Sequence, residues 1–256
     1  MIHPSALIDP SARIGENVSI GAFSIIGPDV EIGDGTTIGP HVVIESQPRT
    51  GRDNRTWQLA SPGAAPQDKK FPGEKTRLEI GDRNVIREFV SFNRGTDDGG
   101  GLTSIGNDNW LMAYVHIAHD CRVGNNTIFS NASSLAGHVT VDDWVILGGF
   151  TLVHQFCQVG AHAFTAMGAI INRDVPPYVT VAGSFAEPKG INSEGLRRRG
   201  YSSERIMAIK RAYRTLYNSG LPLSEARSEL ARAAEGAPDV KLMLDFIERS
   251  QRSLVR

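Results

Sequence analysis

ALIDPSARIGENVSIGAFSIIGPDVEIGDGTTIGPHVVIE, residues 6–45, repeats itself every six residues. The chain places Ile8, Ile14, Ile20, Ile26, Ile32, Ile38 and Ile44 at that interval, and glycine follows directly after five of them, at Gly15, Gly21, Gly27, Gly33 and Gly39. The register returns at Ile80 and Ile86, and again from Ile105 to Ile171. In that last run twelve positions are in phase and eleven are aliphatic or aromatic, the exception being Thr165. A strict six-residue period fits neither an α-helix nor an alternating strand. It is the mark of a parallel β-helix, in which each hexapeptide supplies one short strand and one turn. The aliphatic residue points inward, and the residue after it is expected to turn the corner, where glycine tolerates the backbone angles. Three hexapeptides close a triangular coil of eighteen residues, and coils stack about 4.8 Å apart.

Two segments interrupt the register: PGAAPQDKKFPGEKT (62–76) and RGTDDGGGLTS (94–104). Both read as loops projecting from the prism. Insertions into a regular solenoid often carry function or oligomer contacts. The repeat fades near RDVPPYV (173–179), and helical spacing takes over. SSERIMAIKRAYRTLYNSG (202–220) puts Ile206, Ile209, Tyr213 and Leu216 on one face, with Ser202 or Ser203 to cap it and Gly220 to stop it. LSEARSELARAAEG (223–236) and DVKLMLDFIERSQRSL (239–254) predict two further helices. The expected division is a β-helix over 1–190 and a small helical domain over 191–256.

Composition narrows the function. Lys and Arg number 27 against 28 Asp and Glu, so no basic excess points to nucleic acid. No apolar run approaches the ~18 residues of a membrane span. The start, MIHPSALIDPSARIG, lacks the basic and apolar regions of a secretory signal. A cytoplasmic protein that is not integral to a membrane is expected. Cys121 and Cys157 are 36 residues apart, hence two coils apart and too far for a disulfide.

The eighteen-residue coil also places polar residues in columns. His119 falls under Gly137 and Gln155, Asp120 under His138, and Ala118 under Ala136 and His154. His116 lies slightly earlier. Histidines from three successive coils therefore gather along one edge. Three readings compete. One is polar packing at a corner. Another is a zinc site, which needs three or four ligands. The third is general-base chemistry, in which Asp120 orients a neutral His119 and the unshielded Gly137 N–H stabilises an oxyanion.

HIAHDC (116–121), LAGHVTVDD (135–143), VHQFC (153–157), GAH (160–162), DVPPYV (174–179) and EGLRRRG (194–200) together resemble the UDP-N-acetylglucosamine O-acyltransferases of lipid A biosynthesis, as do EIGDRNVIRE (79–88) and RGT (94–96). The resemblance covers essentially the whole chain. It implies a left-handed coil and a homotrimer with its active site between neighbouring prisms. It also implies transfer of a 3-hydroxyacyl chain from acyl carrier protein to the glucosamine 3-hydroxyl of UDP-GlcNAc. Carried over by position, His119 is the base, Asp120 its partner and Gly137 the oxyanion donor. His116, His138, His154 and Gln155 bind the sugar nucleotide or acyl group, and Gln67, Asp68 and Lys70 reach substrate across the interface. Asn192, Glu194, Arg198 and Arg199 serve the nucleotide and the phosphopantetheine arm. Arg197, Lys210, Arg211 and Arg214 offer charge to the acidic carrier. No metal or cofactor is expected; the phosphopantetheine thioester is the donor substrate. The chain departs from the family at Asn93, where SFNRGT replaces a histidine-bearing motif, at Pro62 and Ala64 to Pro66, and at Phe185. Met167 stands where longer-chain members have glycine, and its stem there predicts a shorter, decanoyl-like acyl chain. Amide formation on a 3-amino sugar nucleotide and a non-enzymatic solenoid remain as alternatives at this stage.

Overall fold

The computed structural model describes residues 1–45 and 47–256. Short parallel strands wind into a left-handed β-helix of triangular section. One face is a ten-stranded sheet and another an eight-stranded sheet; the third is split into a three-stranded and a six-stranded sheet. The eighteen-residue step is the register itself: Ile117 pairs with Leu135 and Leu135 with Val153. The two insertions lengthen single steps, so that Ser61 pairs with Ser91 and Ser91 with His116. Ile117, Leu135, Val153 and Ile171 stack as one buried column, and Phe129 fills the next between Leu111 and Leu147. Burial of each such side chain stabilises the coil by about 1.5–3 kcal/mol. The exception, Thr165, is fully buried too. Its hydroxyl meets Thr151 Oγ1 at 2.6 Å and accepts from the Gly148 N–H at 3.0 Å.

The corner geometry differs from the expectation. The left-handed residue is the third after the inward aliphatic, as in Asn17, Phe23, Asp29 and His41, with φ near 57°. Glycine follows the aliphatic for a different reason, close approach of the next coil. A Cβ on Gly15 would lie 2.8 Å from Asp34 N and 2.9 Å from Ile32 O. Tight stacking, and not an unusual dihedral, selects glycine there.

At the upper end the ten-stranded sheet continues past the repeat. Val179–Ala182 pairs in parallel with Phe164–Thr165, and Glu187–Ile191 returns antiparallel. Four helices follow, one more than predicted: α1 (Ser193–Arg198), α2 (Ser203–Tyr217), α3 (Leu223–Ala234) and α4 (Pro238–Arg249). The extra one is EGLRRRG, started by Asn192, whose Oδ1 accepts from Gly195 N at 3.1 Å. Ser202 caps α2, and Tyr178, Met243 and Phe246 bury the helices against the prism end. The chain then turns back: Asp174 N donates to Ser253 O and Val255 N to Asp174 O, with Leu254 and Val255 buried.

Candidate active site

His119 and Asp120 occupy the turn between strands His116–Ile117 and Arg122–Val123, on the edge joining the six-stranded and eight-stranded faces. Asp120 takes the left-handed position (φ 61°), which aspartate tolerates better than most residues. That conformation folds its carboxylate back along the edge. Its Oδ2 meets His119 Nδ1 at 2.7 Å and accepts from Thr96 Oγ1 at 2.7 Å, while Oδ1 accepts from Thr96 N at 2.8 Å. Asp120 N in turn donates to Thr103 Oγ1 at 2.8 Å. An ionised carboxylate only accepts, so His119 carries its proton on Nδ1 and presents the Nε2 lone pair outward.

Thr96 and Thr103 both belong to the second inserted segment. RGT (94–96) enters the family resemblance with no role attached to it. Here Thr96 clamps Asp120, and Arg94 pins the first inserted loop, donating from Nη1 to Gly63 O at 3.2 Å with its guanidinium 5.3 Å from the Phe71 ring. Asn93, the departure from the family pattern, is buried and donates from Nδ2 to Ala65 O at 3.0 Å. It fastens the altered 62–66 stretch. Replacing Thr96 with valine removes one hydrogen bond to a buried charge, an interaction worth roughly 1.5–3 kcal/mol. We expect kcat of acyl transfer to fall on the order of tenfold, with the melting temperature showing whether stability is lost as well.

Gly137 lies one coil above His119. A Cβ there would sit 2.6 Å from His119 Cε1 and 2.8 Å from Nε2. Only glycine lets the imidazole lie against this turn. Among the described residues the Gly137 N–H has no acceptor. At the following corner the equivalent amides are capped, Asn107 N by Asn125 Oδ1 and Asn125 N by Asp143 Oδ1. The histidine edge thus leaves an uncapped donor beside an uncapped base. His138 meets His119 edge-on at 5.2 Å and stacks on Phe156 at 4.5 Å; its Nε2 is 3.7 Å from Asp120, beyond hydrogen-bond reach. His116 shares a 2.8 Å hydrogen bond with Ser91 Oγ. Burial, and then the nearby His119, hold its pKa below the usual histidine value. His154 and Gln155 follow one coil further on, exposed at the same edge.

The remaining candidates stand apart within one protomer. Gln67 and Lys70 are exposed on the first loop, where Asp68 Oδ1 accepts from Lys70 N at 2.9 Å. Asn192, Glu194, Arg198 and Arg199 line a groove of about 760 Å³ between α1 and the ten-stranded face, floored by Trp144, Ile146 and Phe164. Glu194 Oε1 accepts from Arg198 Nε at 3.1 Å. Arg199 is fixed: Nη2 donates to Trp144 O at 2.9 Å, Nη1 to His162 Nδ1 at 3.1 Å, and its guanidinium lies 5.1 Å from the Trp144 ring centroid. His162, which has no role in the family resemblance set out above, anchors Arg199 here. Burial, reinforced by Arg199, pushes its pKa down to about 4, so it stays neutral and accepts from the arginine. GAH and the eighteen-residue step from Trp144 to His162 carried the signal. Met167 lies on another edge, between the ten- and six-stranded faces, 79% exposed.

His119, Asp120 and His138 have ligand-capable atoms within 4.8 Å of one another. Asp120 spends its oxygens on Thr96 and His119, and a metal would have to break those bonds. The arrangement suits proton transfer better than metal ligation.

Residues 174–255 match the family described as UDP N-acetylglucosamine O-acyltransferase, domain 2, and residues 2–46 and 102–134 match the bacterial transferase hexapeptide. The acyl-[acyl-carrier-protein]–UDP-N-acetylglucosamine O-acyltransferase of Stenotrophomonas maltophilia R551-3 is 61% identical over 256 residues, covering 100% of this chain and 97% of the relative. Among solved structures, the UDP-N-acetylglucosamine acyltransferase of Francisella novicida superposes with a TM-score of 0.98 at 41% identity, covering 100% of this chain and 94% of that one. The Acinetobacter baumannii enzyme does so with 0.97 at 44%, covering 100% and 99%. With that identity running the full length of a hexapeptide prism closed by four helices, the chain belongs to the acyl-[acyl-carrier-protein]–UDP-N-acetylglucosamine O-acyltransferase family.

Proposed function

We propose that this acyltransferase moves a 3-hydroxyacyl chain from acyl carrier protein to the glucosamine 3-hydroxyl of UDP-GlcNAc, the first step of lipid A biosynthesis. The observation that carries the reading is the His119 pair: an imidazole held through Nδ1 by Asp120, with Nε2 open and the uncapped Gly137 N–H one coil above. His119 Nε2 takes the proton of the attacking hydroxyl as the oxygen bonds to the thioester carbon. The tetrahedral oxyanion accepts from Gly137 N–H. Its collapse breaks the C–S bond, and the leaving thiolate takes the proton back from the His119 imidazolium, which Asp120 stabilises meanwhile. Each step uses side chains of the protein and the carrier's own thioester.

Exposed apolar side chains support assembly into a trimer. The edge between the ten-stranded and split faces carries Phe23, Leu59, Phe89, Tyr114 and Phe150, all exposed. The ten-stranded face adds Trp110 beside it, whereas the eight-stranded face carries the Arg13–Glu31–Arg49 ion-pair chain. An apolar stripe of this length calls for covering. Threefold packing about an axis along the prism covers it on every copy. The same packing sets the His119 edge of one protomer against the Arg198–Arg199 groove of the next and brings in Gln67, Asp68 and Lys70 from across the interface.

Met167, 79% exposed on the edge between the ten- and six-stranded faces, is the proposed ruler of the acyl groove. The test is transfer by the purified protein from 3-hydroxydecanoyl and 3-hydroxymyristoyl carrier protein to UDP-GlcNAc and to its 3-amino analogue. Transfer to the hydroxyl sugar with the decanoyl donor preferred is expected; transfer to the amino sugar alone would overturn the acceptor assignment. Met167→Gly is expected to shift preference toward the myristoyl donor by roughly 10–100-fold, in keeping with a few kcal/mol for filled hydrocarbon space. An unchanged chain-length profile would remove Met167 from that role.

A further inference from the structure

The C-terminal tail after α4 does more than seal the prism. Ser250 Oγ donates to Asp174 Oδ2, Leu254 and Val255 are buried, and between them Arg252 reaches across to the candidate substrate edge. Its Nη1 lies 2.8 Å from Gln155 O, 2.9 Å from His154 Nδ1 and 3.7 Å from Cys157 Sγ. His154 Nδ1 also lies 3.2 Å from Gln155 O. These two contacts of Nδ1 exclude one another in a neutral ring. A guanidinium only donates, so the Arg252 contact requires Nδ1 to be a bare acceptor; a carbonyl only accepts, so the Gln155 contact requires Nδ1 to carry the proton. The arginine contact is the shorter, and a guanidinium donor makes the stronger hydrogen bond.

We propose that Arg252 is a positioning residue that sets the tautomer of His154, holding Nδ1 as acceptor so that Nε2 carries the proton and faces the substrate cleft as a hydrogen-bond donor. Nε2 has no partner among the described residues, and His154 is exposed at the edge where His119 and His138 stand. A donor there suits an oxygen acceptor of the substrate, a sugar hydroxyl or a phosphoryl oxygen. Without Arg252 the ring turns to its other neighbour: Nδ1–H donates to Gln155 O, and Nε2 becomes an acceptor that repels the same oxygen. Residues 250–255 thereby tie the pairing of the tail with Asp174 to the readiness of the binding edge. The role for His154 rests on the substrate reading given above.

The experiment measures the His154 tautomer by ring ¹⁵N chemical shifts in the intact protein, with His154→Gln used to assign the signals, alongside steady-state kinetics for UDP-GlcNAc. In the parent protein Nε2 is expected to be protonated and Nδ1 bare. Arg252→Gln is expected to move the signals to the Nδ1–H form and raise KM about tenfold with kcat within about twofold, while Arg252→Lys, which keeps a cationic donor, restores most of both. Nδ1–H in the parent protein, or an unchanged tautomer in Arg252→Gln with the fold retained, overturns the proposal. A tautomer that shifts as expected while His154→Gln leaves KM unchanged upholds Arg252 as the tautomer-setting residue and refutes the substrate role of His154 instead. If Arg252→Gln does not fold, the parent spectrum and Arg252→Lys still decide the tautomer.

Discussion

His119→Ala is expected to lower kcat by about 10²–10⁴-fold, the range a positioned general base supplies, while KM for UDP-GlcNAc changes little. The structure argues for so large an effect because no neighbour can substitute. Asp120 is saturated by Thr96 and buried beneath the ring. His138 is turned edge-on to His119, stacked on Phe156. His116 is engaged with Ser91 on the adjacent face. The substitution deletes a partly exposed ring from a turn whose backbone hydrogen bond, His138 N to His119 O at 3.0 Å, is independent of the side chain. Sedimentation and melting should therefore match the parent protein. Activity within tenfold of the parent, from protein shown to be intact, would sink the base assignment and leave the edge as a binding surface only.

The prism was legible because its signal is periodic and long. One six-residue rule places the buried columns, predicts that Ile117, Leu135 and Val153 pair in register, and brings Asp120 beneath His138 without any knowledge of loops. It fails where the period is broken. The added strand Glu187–Ile191 runs antiparallel, outside any repeat, and α1 is six residues long, too short for helical spacing to show. The corner rule was misread for a physical reason: the sequence shows where glycine recurs, but it does not show whether backbone angle or crowding selects it. The site divides along the same line. His119, Asp120 and Gly137 sit inside the repeat, so their mutual placement followed from counting. Thr96 and Arg252 reach the edge from an inserted loop and from the tail, at separations of 24 and 98 residues from Asp120 and His154, and no period connects them. His162 was within the repeat and could have been found, since it stands eighteen residues above Trp144; Tyr178, sixteen residues further on and past the end of the repeat, was not countable. The anchoring of Arg199 to it needed coordinates.

Gly137→Ala tests the other half of the proposed catalytic pair, and its expected effect is nearly as large. The backbone at Gly137 is not in the left-handed region, so alanine meets no dihedral strain. What it meets is His119: the new methyl would stand 2.6 Å from Cε1 and 2.8 Å from Nε2, the proposed proton acceptor. One of the two must yield. The ring is held from the other side by Asp120, itself held by two bonds from Thr96, so retreat costs the hydrogen bond that fixes the tautomer. A displacement approaching 1 Å at reacting atoms costs about 10²-fold in rate, and overpacking of this kind destabilises by only about 1–3 kcal/mol. The protein should therefore remain folded and still bind UDP-GlcNAc, with kcat down by about 10²-fold or more. Because alanine keeps the backbone N–H, the loss would report on crowding of the base and shielding of the oxyanion, not on a missing donor. A ¹⁵N spectrum of His119 separates these two: a shifted ring signal assigns the loss to the displaced base, and an unchanged signal with the same loss assigns it to the covered N–H. A variant with kcat within threefold of the parent would mean that neither contact is used in the reaction.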